Sequence, residues 1–96
     1  KQYKSNRWLT TLLIDKEKTG FSKDNVIEIL QKENIESRPL WKPMHLQPLY
    51  KDSKYYKYKS FDVSAYLFKN GVCLPSGASL SLSDQNRIID IIFSLF

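Results

Sequence analysis

Glu36-Ser37-Arg38-Pro39-Leu40-Trp41-Lys42-Pro43-Met44-His45-Leu46-Gln47-Pro48 holds three of the chain's four prolines and its only histidine. Each proline fixes its own φ, lacks an N–H and pushes the preceding residue towards extended geometry. The segment from Ser37 to Pro48 therefore reads as a stiff, non-helical rope. It carries Arg38, Trp41, Lys42, His45 and Gln47 at nearly fixed spacing. Ordinary core patterning stops at this rope, so the sheet and its covering helices must come from the sequence on either side.

Upstream, Trp8 to Asp15 is apolar and β-branched, too short for a comfortable helix and bounded by Asp15-Lys16-Glu17-Lys18, which reads as a buried strand. Thr19-Gly20 then leads into a helix. Ser22 can cap it, Asp24 suits its positive first turn, and Phe21 and Val26 occupy the two staple positions. Val26, Ile27, Ile29 and Leu30 give it one apolar face, and Asn34 is placed to take a left-handed cap. Ile35 to Leu40 resumes as an extended segment that runs into the rope.

Downstream, Tyr50 to Ser60 is a basic, tyrosine-rich passage. Ser60 or Asp62 can cap a second helix through Val63, Tyr66, Leu67 and Phe68, which Asn70-Gly71 should end. Val72-Cys73-Leu74 reads as a short strand broken by Pro75-Ser76-Gly77. A last helix begins near Ser81, with Asp84 in capping-box position. Its apolar residues form two stripes, Ile88, Ile92 and Leu95 on one and Ile89, Phe93 and Phe96 on the other, so it must be covered on more than one side. The order predicts a two-layer α/β (α+β) domain over residues 1–96: a short, mainly antiparallel sheet of three or four strands with about three helices packed on it.

With 96 residues the chain forms one domain at most, small for an enzyme that must also enclose a cofactor. That size suggests a partial chain; with no apolar signal stretch and no run long enough to span a bilayer, it reads as soluble rather than as a precursor. Cys73 is the only cysteine, which excludes an internal disulfide and a cysteine-cluster metal site and fits a reducing, cytoplasmic setting. Fifteen Lys and Arg against ten Asp and Glu give a formal charge of +5. That favours an anionic partner without naming it, and serves solubility equally well.

No Gly-rich phosphate loop, metal-ligand cluster or nucleophile–base pair can be assembled from these residues. One imidazole cannot hold a catalytic metal alone, so His45 is either structural or a hydrogen-bonding contact. Cys73, between Val72 and Leu74, has nothing beside it to lower its pKa and reads as a small apolar residue. The alternation of lysine and tyrosine over residues 50–59 suits base stacking with phosphate pairing, as in single-strand binders. It suits a surface loop with wet hydroxyls equally, and no recognisable nucleic-acid module accompanies it.

Read whole, the rope resembles a motif of the DegT/StrS-type sugar aminotransferases. Val72-Cys73-Leu74-Pro75-Ser76-Gly77, the closing amphipathic helix and the opening Asn6-Arg7-Trp8-Leu9-Thr10 match the same family's C-terminal domain, so the likeness covers nearly the whole chain. It implies a pyridoxal-phosphate enzyme that places an amino group on a nucleotide-linked keto-sugar. The form of the rope is most similar to the branch acting on UDP-linked 4-keto-6-deoxy-N-acetylhexosamines for surface glycans. The resemblance further implies that the Schiff-base lysine, the aspartate on the pyridine nitrogen and the phosphate cradle lie in a large preceding domain.

On that footing the chain holds no catalytic, cofactor-binding or metal-binding residue of its own. It would contribute substrate contacts from His45, Gln47, Arg38, Lys42 and Trp41. An imidazole or amide can bond sugar or diphosphate oxygens, and Arg38 and Lys42 can supply charge. Arg38, Trp41 and Gln47 can also simply brace the loop. Expected partners are the nucleotide sugar, an amino donor, the large domain and a second subunit of a homodimer, with neither membrane nor nucleic acid. The competing readings are a small basic nucleic-acid-binding domain using the tract 50–59 and a purely structural interaction domain.

Overall fold

A computed structural model describes residues 2–96 of the chain. Its centre is β3 (Gly71–Cys73), flanked by β1 (Thr11–Leu13) and β2 (Arg38–Pro39) in the order β1-β3-β2, both pairings antiparallel. Val72, which lies opposite both Leu12 and Pro39, is fully buried. Pro39 cannot donate to a ladder, and β2 is accordingly an edge strand. Hydrogen bonds from Ile14 N–H to Asn70 O (2.9 Å), Leu74 N–H to Thr10 O (3.0 Å) and Leu40 N–H to Gly71 O (3.0 Å) extend the pairing past the strand ends.

The strand expected over Trp8–Asp15 is shorter and half-buried rather than buried. Leu12 and Ile14 turn inward, whereas Leu13 and Trp8 are exposed. β1 has one sheet neighbour and one covered face, so successive side chains alternate between core and water. The charged run that follows is not a plain boundary. Lys16–Thr19 forms a one-turn helix, α1, between Asp15, which accepts from the Glu17 N–H, and Gly20 at φ 80°.

Helix α2 (Lys23–Lys32) begins as expected at Ser22, and Asn25 completes a capping box by accepting from the Ser22 N–H at 2.8 Å. Phe21 and Val26 are both in the core. At the other end Asn34 has φ 57°, with Ile35 N–H bonded to Leu30 O and Asn34 N–H to Gln31 O. Those two bonds make a Schellman cap. Val26 and Leu30 are wholly buried between the sheet and α4 (Leu82–Phe93), and with Ile14, Phe21, Val72 and Ile88 they form the core. Arg87 ties α4 to the end of α2 through Glu33, bonding its carbonyl at 2.9 Å and its carboxylate at 3.1 Å.

Two local expectations are corrected. The rope is not free of helix, since Met44–Leu46 and Pro48–Tyr50 form single 3-10 turns. Pro43 precedes the first and Pro48 opens the second, where a missing N–H and a fixed φ suit a helical start. Helix α3 (Val63–Asn70), capped by Asp62, ends at Asn70-Gly71 as expected, with Gly71 extended at φ −98°. In α4 the Asp84 carboxylate receives the Ser81 hydroxyl at 2.5 Å instead of reaching a backbone N–H, while Ser81 caps Asp84 N–H at 3.1 Å. The fold is thus α+β with four α-helices, and no helix is long and apolar enough to cross a membrane among the described residues.

The two stripes of α4 meet different fates. Ile88 is buried and Ile92 and Leu95 pack against the core, whereas Ile89, Phe93 and Phe96 are 38%, 67% and 77% exposed. Phe96 touches Phe21 edge to face at 5.0 Å, but most of its ring is in water. Pairing such faces removes apolar area worth about 25 cal/mol per Å². Sedimentation equilibrium of the isolated chain should show mass rising with concentration. A monomer throughout, with no binding of an apolar dye, would mean that this face is tolerated as it stands.

Candidate functional site

The rope leaves β2 beside the central strand, and its first half lines one groove. A cavity of about 660 Å³ is bounded by Arg38, Trp41 and Lys42 on the rope side and by Phe68, Cys73 and Ser76 opposite. Trp41 also meets Trp8, ring centroids 5.7 Å apart at 32°. Arg38 is bonded to Glu36 Oε1 through both Nε (2.7 Å) and Nη2 (2.6 Å), an exposed pair of small energetic weight. Lys42 is exposed, with its carbonyl accepting from Gln47 Nε2 at 3.1 Å. Gln47 therefore braces the rope, closing its two 3-10 turns onto the segment before them.

His45 is elsewhere. Its Nε2 lies 2.8 Å from Asp62 Oδ2, and the two side chains are only 15% and 16% exposed. Tyr55 stacks flat on the imidazole, centroids 3.6 Å apart at 8°. The Tyr55 hydroxyl donates to Asp62 Oδ1 at 2.9 Å, the Ser64 hydroxyl does so at 3.0 Å, and the Ala65 N–H at 2.9 Å. These donors hold the Asp62 carboxyl well below the usual carboxylate range: the Ala65 N–H contributes most, partial burial opposes it, and Tyr55, Ser64 and His45 add to the lowering. An ionised carboxylate only accepts, so the His45 nitrogen facing it carries the proton.

Of the five residues singled out from the sequence, Arg38, Trp41 and Lys42 share the groove, while His45 and Gln47 do not line it. The sequence did not single out Asp62, Tyr55 and Ser64, which complete the cluster around His45. Asp62 was legible as one of two possible helix caps, and Tyr55 as one tyrosine of a basic tract. The rest of that tract is a surface loop, with Tyr56 and Tyr58 83% and 79% exposed. Burial pushes the Cys73 thiol up, which suits an apolar filler rather than a nucleophile.

Every described lysine except Lys23 is exposed. The Lys23 ammonium is committed, donating to Phe68 O at 2.8 Å and lying 4.7 Å above the Phe68 ring. A Schiff-base lysine is ordinarily enclosed with its cofactor, and the exposed lysines here lack such an enclosure. Among the described residues no group of three His, Cys, Asp or Glu is placed to hold a metal ion.

Comparison with known proteins places this geometry in context. The profile of the DegT/DnrJ/EryC1/StrS aminotransferase family matches residues 1–93. A protein of Bacillus subtilis (strain 168), provisionally named a pyridoxal phosphate-dependent aminotransferase, EpsN, is 45% identical over 93 residues, covering 96% of this chain and 23% of its own length. The GDP-perosamine synthase of Vibrio cholerae is 29% identical over 89 residues, with 93% and 23% covered. The chain thus spans about a quarter of the length of the curated relatives it matches.

Among solved structures, a DegT DnrJ EryC1 StrS aminotransferase from Brucella abortus superposes with a TM-score of 0.73 at 29% identity, over 90% of this chain and 21% of that one. Helicobacter pylori PseC, an aminotransferase involved in the biosynthesis of pseudoaminic acid, gives 0.72 at 22% identity, over 92% and 23%, a likeness of fold alone.

Proposed function

The chain belongs to the DegT/DnrJ/EryC1/StrS aminotransferase family, and from that premise we propose that it is the C-terminal small domain, residues 1–96, of a longer pyridoxal-phosphate-dependent aminotransferase. The observation that carries this reading is the family match across residues 1–93 in a chain whose alignments cover only 23% of its curated relatives. The residues present do not fit the cofactor, since the described lysines are exposed or, in Lys23, already committed to Phe68. The Schiff-base lysine and phosphate cradle therefore belong to a preceding large domain, and this chain alone transfers no amino group.

The part left for the chain is the substrate side. The substrate is a nucleotide-linked keto-deoxy sugar of the UDP-4-keto-6-deoxy-N-acetylhexosamine type, used in surface glycan synthesis, and the working enzyme is a cytoplasmic homodimer. The groove between the rope and β3 offers a flat indole, Trp41, and the Lys42 ammonium, with the Arg38 guanidinium beside them on its exposed pair with Glu36, a combination suited to a base and, once Arg38 exchanges that carboxylate, a diphosphate. His45 stands on the same rope with one nitrogen bound by Asp62 and the other without a partner among the described residues. The basic tract 50–59 is less suited to nucleic acid, because the Tyr55 ring is already stacked on His45.

The test is made in the full-length protein, supplied with cofactor, amino donor and the UDP-linked keto-sugar. Amino-sugar formation is expected, and His45→Ala should lower kcat/KM for the sugar about fivefold to a hundredfold, the loss of one hydrogen bond that leaves its partner on the sugar unsatisfied at about 1–3 kcal/mol. Cofactor absorbance should be retained. Absence of turnover with any nucleotide-linked keto-sugar would sink the reading; normal turnover by a folded His45→Ala protein would remove His45 from it.

A further inference from the structure

Asp62 divides its two oxygens between two tasks. Oδ1 accepts from the Ala65 N–H, the Tyr55 hydroxyl and the Ser64 hydroxyl, all at 2.9–3.0 Å, and so caps α3. Oδ2 has a single partner, the His45 imidazole 17 residues earlier in the chain. A cap alone needs one oxygen and is served equally well by Ser, Asn or Asp. The second oxygen is thus free to act on His45.

The same imidazole is fixed in its other degrees of freedom. Tyr55 covers one ring face in parallel stacking and is itself anchored through its hydroxyl to Asp62 Oδ1, so ring, carboxylate and phenol form one closed unit. Nδ1 makes no hydrogen bond to any described residue, and it is not sealed off, because Ser37 Oγ is the single fully buried side-chain polar atom left without a partner among the described residues. An imidazole whose Nε2 donates to a carboxylate presents Nδ1 as an acceptor while the ring is neutral.

We propose that Asp62 and Tyr55 are positioning residues that hold His45 in its Nε2–H form, so that Nδ1 accepts a hydrogen bond from a hydroxyl or amide N–H of the nucleotide sugar. This rests on the functional reading above and deepens it: the site would recognise a donor on the sugar, not an anionic oxygen. Orienting a histidine through its second nitrogen is the same device that carboxylates supply to catalytic and metal-bound imidazoles.

Asp62→Asn separates the two tasks. Three donors converge on Oδ1, so the amide oxygen must stay there and the NH₂ must face His45. Asn caps as well as Asp, so the melting temperature of the full-length enzyme should move by no more than about 2–4 °C. The imidazole, now facing a donor, must accept at Nε2 and carry its proton on Nδ1.

The expected result is a switched tautomer, read from ¹⁵N-histidine spectra with the His45 signal assigned by its loss in His45→Gln. It should be accompanied by a fall of about tenfold or more in kcat/KM for the UDP-linked keto-sugar. Asp62→Ser, which keeps a capping hydroxyl but cannot reach the imidazole, should also lower kcat/KM and stands in if the asparagine protein folds poorly. A switched tautomer with undiminished kcat/KM overturns the acceptor role. A wild-type His45 protonated on Nδ1 overturns the lock itself. If the wild-type enzyme consumes no nucleotide sugar yet shows the locked tautomer, it is the functional reading that fails, not the lock.

Discussion

Leu30→Ala should remove about 2–5 kcal/mol of stability, the range for truncating a buried leucine when the surrounding core cannot fully collapse. Leu30 has no exposed surface and sits on the face of α2 that meets the sheet and α4, with Val26, Val72 and Ile88 in the same cluster. Its backbone carbonyl, which accepts from the Ile35 and Glu33 N–H groups at the helix end, is untouched by the change. The loss is therefore of packing alone. A domain of this length has about 5–14 kcal/mol in total, so at the middle of both ranges the urea midpoint should fall by about a third at an unchanged slope. A loss below about 1 kcal/mol would show that the core refills around the alanine, and that the six buried side chains are less tightly interlocked than their burial implies.

What could be read from the sequence followed from how local the cause was. Ser22, Asn34, Asp62 and Ser81 all stand at helix ends because a capping oxygen or a left-handed residue acts within three or four positions, and each does so in the structure. The Lys16–Thr19 turn was missed because four residues are too few to show a helical period. Trp8–Asp15 was read as buried because a continuous apolar run does not say whether one face or both will be covered. Only its edge position in the sheet decides that, and the edge is set by the pairing of β3 with segments about 30 and 60 residues away.

The family was legible for a different reason: the rope and the Val72–Gly77 segment are long, specific strings, and the profile match over residues 1–93 agrees with them. The site was legible only in part. The spacing of prolines placed Arg38, Trp41 and Lys42 on one stiff segment, and they do line one groove. The partnership of His45 with Asp62 and Tyr55 crosses a loop of irregular structure, and neither periodicity nor spacing carries information about which side chains such a loop brings together. Asp62 looked like a cap and is one. Its second oxygen was invisible until the fold placed an imidazole there.

Gly71→Ala should destabilise the chain by about 1–3 kcal/mol, the usual cost of overpacking, and disturb the rope as well. The glycine is not required by its backbone, whose φ of −98° suits any residue. It is required by space, because a Cβ would run into the Leu40 side chain and come within 2.6 Å of Leu67 O. Leu40 can swing aside, but Leu67 O cannot: it accepts the Gly71 N–H that closes α3. Relief must come from moving the end of α3 or from pushing Leu40, which opens the rope and bonds Gly71 O at 3.0 Å, away from the sheet.

Either movement reaches the groove lined by Trp41 and Lys42, so on the proposed function the full-length protein should lose kcat/KM for the nucleotide sugar as well as melting temperature. Gly77→Ala is the control, since its added methyl meets only Ser79 Oγ at 3.9 Å and should be neutral. Adding Leu40→Ala to Gly71→Ala should relieve the side-chain part of the clash and leave the backbone part. The pair should therefore couple favourably without restoring the parent stability, as contacting residues do in a double-mutant cycle. A Gly71→Ala protein as stable as the parent would mean that α3 slides freely over β3, in which case the rope is held by its own prolines and not by the sheet beneath it.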